Sequence, residues 1–228
     1  MKKRLFAILV LAVLIIPATG AAAPPRPGPY VAGFLGVTLP VDADATSTQY
    51  GPGIKNYNDR VEYDASLNIG GSGGYDFGFL RIEGELSYKN GEMSSITEKT
   101  SNTKYANVDG RVGIYSLLFN VFLDLRNPSP FTHYIGGGIG FATLYLDDTF
   151  GTNTSTGFRN TIYESDEDTV FAYQVGAGLE IALTQNFSLD LGYRYFGTAK
   201  ADFNRNTSLA TELKFESHNA SIGFRVKF

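Results

Sequence analysis

The eleven residues that end the chain, His218 to Phe228, restrict its fold more than any other stretch. Counted back in steps of two, Phe228, Val226, Phe224, Ile222 and Ala220 are all apolar. The residues between them, Lys227, Arg225, Gly223, Ser221 and Asn219, are charged, polar or tiny. A period of two sends alternate side chains to opposite faces of a strand. One face is therefore greasy and the other carries two cations. A transmembrane β-barrel, with lipid outside and a polar lumen inside, accepts such a strand. So does the edge of a soluble β-sandwich.

The N-terminus decides the compartment. Lys2, Lys3 and Arg4 precede the apolar run Leu5 to Ile16, followed by Pro17 and the small residues Gly20 to Ala23. That order predicts a secretory signal peptide over residues 1–22, cleaved between 21 and 23. The apolar run is too short for a spanning helix, which needs about 20 residues. Residues 23–228 then form one domain, and no later run is long enough for a transmembrane helix. Cysteine is absent, which excludes disulfides, thiolate metal sites and lipid attachment through cysteine. A net charge of −4 without long basic runs argues against nucleic acid as a partner.

The alternation of the last strand recurs along the chain. Strands are predicted over 30–39, 63–77, 79–88, a segment ending at 115–125, 131–147, 171–183, 187–195 and the C-terminus. Asn107, Asp109 and Arg111 break the parity upstream of Tyr115. Either a bulge near Gly113 shifts the phase or that end stands clear of the membrane. Four long polar stretches, about 41–60, 90–104, 148–168 and 197–211, are expected to be loops. They alternate with short turns at 77–78, 127–130 and 184–186. The expected fold is all-β: an eight-stranded antiparallel up-and-down transmembrane β-barrel with long loops at one end.

An eight-stranded barrel has room inside only for its own side chains. The inward parity collects Arg81, Arg194, Arg225 and Lys227 against Glu83, Glu85, Glu180 and Asp190, an expected ion-pair network beside Gly136, Gly138, Gly140, Gly176 and Gly178. The glycines leave space, and the charges can pair. A filled lumen rather than an open channel follows. Glu83 and Glu85 have the spacing of a general acid/base pair, but carboxylates recur on the inward face of other strands, which makes them network members. His218 and Ser221 fall on opposite faces, which argues against a dyad. Neither catalytic nor metal nor cofactor residues are expected, because His133 and His218 cannot build a usual metal site.

The segments Arg81–Tyr88, Tyr115–Asn120, Tyr134–Gly140 and Leu189–Tyr195, with the terminal Phe228, resemble the eight-stranded outer-membrane β-barrels of Gram-negative bacteria, the OmpA-like barrels and related surface antigens. The resemblance covers about Tyr30 to Phe228. It implies an outer-membrane location, extracellular loops and periplasmic turns. It implies too that Ile222, Phe224, Val226 and Phe228 are a signal read by the outer-membrane assembly machinery. The expected partners are that machinery, outer-membrane lipids, lipopolysaccharide and an unidentified surface ligand. The expected function is structural or surface interaction through four extracellular loops; a narrow porin-like channel is the alternative.

Overall fold

The computed structural model describes residues 26–50, 54–205 and 209–228; the signal-peptide reading over 1–22 lies outside them. Among the described residues the chain forms fifteen strands. In order they are β1 (Gly28–Pro40), β2 (Ala43–Gln49), β3 (Lys55–Asp64), β4 (Ser66–Asp76) and β5 (Leu80–Glu98). Next come β6 (Thr103–Asp109), β7 (Arg111–Leu125), β8 (Phe131–Leu146), β9 (Thr149–Asn153) and β10 (Arg159–Tyr163). The last are β11 (Asp166–Ala182), β12 (Phe187–Thr198), β13 (Ala201–Phe203), β14 (Leu209–Leu213) and β15 (Glu216–Lys227).

Eight of these make a closed wall in the order β1, β4, β5, β7, β8, β11, β12, β15, every neighbour antiparallel. The C-terminal strand closes the ring on β1, in register from Tyr30 opposite Lys227 to Pro40 opposite Ser217. Closure leaves the wall no unpaired edge, which a chain in lipid requires. Outward side chains such as Leu35, Ile69, Leu117, Ile139 and Phe224 are exposed and apolar. At one end the wall strands turn tightly. Between β4 and β5, Gly78 takes φ +103°, and its amide donates to Asp76 Oδ1 at 2.8 Å. A glycine suits that left-handed geometry because it carries no Cβ.

The opposite end departs from expectation. The four polar stretches are not irregular loops: most of their residues form β2, β3, the upper part of β5, β6, β9, β10, β13 and β14. These hairpins continue the sheet beyond the wall, β14 pairing with β2, β3 with β5, and β6 with β9. Their inward residues, among them Ala45, Val61, Met93, Ile96, Phe203 and Phe215, are buried in one apolar cluster. Sparse inward apolar residues on Thr- and Asn-rich strands suffice, because neighbouring hairpins together enclose them.

Two boundaries also shift. The strand expected over 63–77 is broken at Ala65, with Tyr63 inward and Leu67 outward, so the two do not share a face. In β7 no bulge occurs at Gly113. Parity runs unbroken from Arg111 to Leu125, and its register with β8 is continuous. Arg111 is polar and outward because that end stands clear of the apolar band, the second of the two alternatives.

Candidate functional site

The interior of the wall carries the densest chemistry. All eight residues expected in the lumen network point inward, and the structure joins them through partners that parity alone did not single out. Arg225 lies 2.6 Å from Glu180 and 3.0 Å from Asp190, so one guanidinium bridges β11 and β12. Lys227 meets Asp76 at 2.6 Å and Glu180 at 3.3 Å. Arg81 pairs with Asp124 at 2.9 Å and Arg194 with Glu85. Glu83 accepts hydrogen bonds from Tyr30 Oη at 2.6 Å and Asn120 Nδ2 at 3.1 Å. Gln174 Nε2 ties Glu85 to Asn120, donating at 3.2 and 2.8 Å.

Sequence reasoning left Asp76 and Asp124 out of the network, although both fell on the inward parity of their strands. Each sits at the turn end of its strand, where a polar residue reads as part of the turn. Asp76 does both jobs: one oxygen caps Gly78 and the other takes Lys227 and Arg126. The aromatic residues Tyr30 and Phe34, whose side of the wall was ambiguous, face inward under Arg225 and Arg194. Arg81 likewise lies over Phe122 and Tyr134, 5.1 and 4.6 Å from the ring centres. A cation over a ring face is attracted by its quadrupole. Buried rings therefore support the charges as well as fill space.

The inward glycines serve the expected purpose. A Cβ on Gly178 would overlap the Tyr134 ring, and one on Gly176 would come within 2.9 Å of Arg194 Cγ. Tyr134 needs that space to donate to Asp190 at 2.7 Å. With Lys89 and Arg126 the cations are Arg81, Lys89, Arg126, Arg194, Arg225 and Lys227, facing Asp76, Glu83, Glu85, Asp124, Glu180 and Asp190. Six positive groups meet six negative ones, so the set as a whole leaves no net charge in a low-dielectric interior.

Above the network the lumen changes character. Lys89 marks the boundary: its Nζ donates to Ser87 Oγ at 3.1 Å and lies 3.9 Å from the centre of the Phe196 ring. Beyond it come Val112, Ile114, Leu144, Phe196, Phe203 and Phe215, all buried. One titratable pair sits in this upper core. Tyr163 Oη donates to Asp59 Oδ2 at 2.8 Å, and both side chains are buried. Burial pushes the Asp59 carboxyl above the usual carboxylate range, partly offset by the Tyr163 hydrogen bond, and pushes Tyr163 well up.

His218 and Ser221 do not meet. His218 is outward, its Nδ1 2.7 Å from Tyr193 Oη, whereas Ser221 lies beside Gly192 on the lumen side. No group of three His, Asp or Glu side chains among the described residues is arranged to hold a metal ion.

The family described as outer membrane protein beta-barrel domain matches residues 7–228. The chain belongs to that family. As an outer membrane barrel of this kind, it lies in a Gram-negative outer membrane, with the tight turns periplasmic and the hairpins extracellular. It is similar to the outer membrane protein PagN of Salmonella typhimurium, 25% identical over 99% of this chain and all of that protein. It is also similar to a candidate adhesin of Rickettsia bellii, 25% identical over 76% of this chain and 72% of that one. Among solved structures, OprG of Pseudomonas aeruginosa shares the fold, with a TM-score of 0.61 and 13% identity over 91% of this chain and 99% of that one.

Proposed function

We propose that this outer membrane barrel is a sealed wall carrying a rigid extracellular platform for surface interaction. The observation that carries this reading is the upper core. Hairpins that merely linked wall strands would not need buried Phe203, Phe215 and Ile96, and ordering them makes a firm surface available to a partner without further entropy loss on binding. Resemblance to a protein described as a candidate adhesin supports the same reading. The tips of the platform present large apolar side chains: Ile54 is 70% and Phe158 72% exposed. Side chains of this kind can anchor an interface, full burial of each by a partner contributing about 1.5–3 kcal/mol.

The narrow-channel alternative is less well supported, since paired charges below and apolar side chains above both occupy the lumen. The outward row Ile222, Phe224, Val226 and Phe228 faces lipid on the closing strand, which suits recognition by the assembly machinery before the ring shuts. The test is binding of cells displaying the protein to host-cell monolayers, with Ile54→Ser and Phe158→Ala variants. Loss of binding with unchanged surface display is expected; undiminished binding would reject the platform tips. Steady single-channel conductance in a planar bilayer would reject the sealed lumen.

A further inference from the structure

The outward surface over β5, β7 and β8 changes chemistry row by row. Leu86 faces Leu117, which faces Phe141; the next row holds Tyr88, Tyr115 and Thr143. Then come Asn90, Gly113 and Tyr145, and finally Glu92 and Arg111, with the Asp147 amide bonded to the Arg111 carbonyl at 3.0 Å. Each row stands about 7 Å above the last, given the rise of a strand. Within some 20 Å the surface passes from apolar through aromatic to charged.

A groove follows these rows. Its lowest part, about 470 Å³, is walled by Leu86, Leu117 and Phe141 and reaches Tyr88 and Tyr115. The same two tyrosines begin a second part of about 590 Å³, which ends at Arg111 and Asp147. Those two begin a third part of about 600 Å³, where Asp64, Glu92, Asp109 and Asp148 gather. The tyrosines pack on one another, with ring centres 4.7 Å apart for Tyr88 and Tyr115 and 5.6 Å for Tyr115 and Tyr145. Gly113 leaves a slot among them: a Cβ there would lie 3.5 Å from Tyr88 Oη in ordinary contact, so a longer side chain would fill the space.

Arg111 is half exposed, and among the described residues its guanidinium is held through Nε, by Asp147 at 3.1 Å. The remaining guanidinium N–H groups stand at head-group height, able to bind a phosphate in fork geometry. A lone phosphate would nevertheless meet Glu92 and Asp147 beside it and the carboxylates above. A divalent cation does not resolve that repulsion, because no three of these carboxylates converge as a metal site among the described residues. A ligand in which the phosphate is followed by a primary ammonium does.

We propose that this groove is a binding site for lipopolysaccharide whose lipid A phosphate carries ethanolamine. An acyl chain lies along Leu86, Leu117 and Phe141, the Tyr88–Tyr115–Tyr145 cluster brackets the glycolipid at the membrane boundary, Arg111 takes the phosphate and the carboxylates take the ammonium. The position on the extracellular side of the apolar band selects an outer-leaflet lipid.

Native mass spectrometry of the full-length protein in detergent tests the assignment. The probes are lipid A with unmodified phosphates, lipid A bearing phosphoethanolamine, and phosphatidylethanolamine. The ethanolamine-bearing lipid A is expected to be retained about tenfold more tightly than the unmodified form, as one charge-assisted contact implies. Arg111→Ala should remove most of that retention. Gly113→Leu should do so without altering any charge, and heat-modifiable gel mobility confirms that both variants are folded. Equal retention of the two lipid A forms, equal retention of phosphatidylethanolamine, or retention unmoved in both folded variants would each overturn the proposal.

Discussion

The lower and upper halves of this barrel are built on opposite rules, and strand β5 passes through both. In its lower part the inward residues are Arg81, Glu83, Glu85, Ser87 and Lys89, while Ile82, Leu86 and Tyr88 face out. Higher up, Met93 and Ile96 are buried and Glu92 is exposed. A register shift between Glu62 and Tyr63 on β3 moves the inward parity of β5 from Met93 to Ile96, but it does not decide whether the inward residues are charged or apolar. What changes is the solvent: lipid outside the lower wall favours apolar residues there, and water outside the extension favours polar ones. The lower interior is held by charges that must all be paired, and the upper by burial of apolar area. The two halves should therefore fail differently.

The largest effect is expected in the ionic half. Arg225→Ala removes the cation shared by Glu180 and Asp190, leaving Glu180 to Lys227 and Asp190 to the Tyr134 hydroxyl, and loss of one partner of a buried pair costs about 3–5 kcal/mol. Urea unfolding in lipid vesicles should show this as a loss of stability of the whole wall. Phe203→Ala, a cavity in the apolar half, should cost about 3 kcal/mol or somewhat more. Its effect should be local: faster hydrogen exchange in β2, β13 and β14, with the wall strands unchanged. Global unfolding by Phe203→Ala would show that the halves are one cooperative unit.

A charge placed outward sharpens the contrast further. Leu191→Arg, on the lipid face of β12, should cost roughly 2–4 kcal/mol if it lies near the midplane. Thr97→Arg, above the membrane, should stay within about 0.5 kcal/mol. Equal costs would place the apolar band elsewhere.

The smallest effect concerns pH. Because burial raises the Asp59 carboxyl in the folded extension, the folded form binds a proton more readily than the unfolded one. The stabilisation is fully present below the ordinary carboxylate range and is lost as pH rises through the elevated folded value. Protease resistance of the β2–β3 and β9–β10 hairpins should accordingly increase on acidification. In Asp59→Asn that increase should disappear; its persistence would assign the dependence to other carboxylates.

How much of this was legible beforehand follows from the same contrast. In the membrane-facing wall most outward positions are apolar, so a period of two is plain in Phe187, Leu189, Leu191, Tyr193 and Tyr195, and the inward Asp190 and Arg194 could be named from it. In the extension each short strand carries only a few inward apolar residues, such as Ala43 and Ala45 on β2 and Val61 on β3, set among polar ones. Hairpins that each bury two or three apolar residues look like loops until they lie side by side. Arg111 shows the confusion clearly. It obeys the parity of Tyr115, yet reads as an error wherever lipid is assumed outside.

The sequence alone determined the eight wall strands, the membrane-facing positions of most of them and the inward parity of the eight charged lumen residues, because alternation is a local property that survives without contacts; the faces of β1 and of Tyr63 needed the structure. Only the tertiary structure decided which charges pair, that Asp76 and Asp124 complete the set, and that the polar stretches close over an apolar core. Those outcomes depend on register between strands far apart in the chain, as when Lys227 meets Asp76, and no local pattern encodes the distance between them.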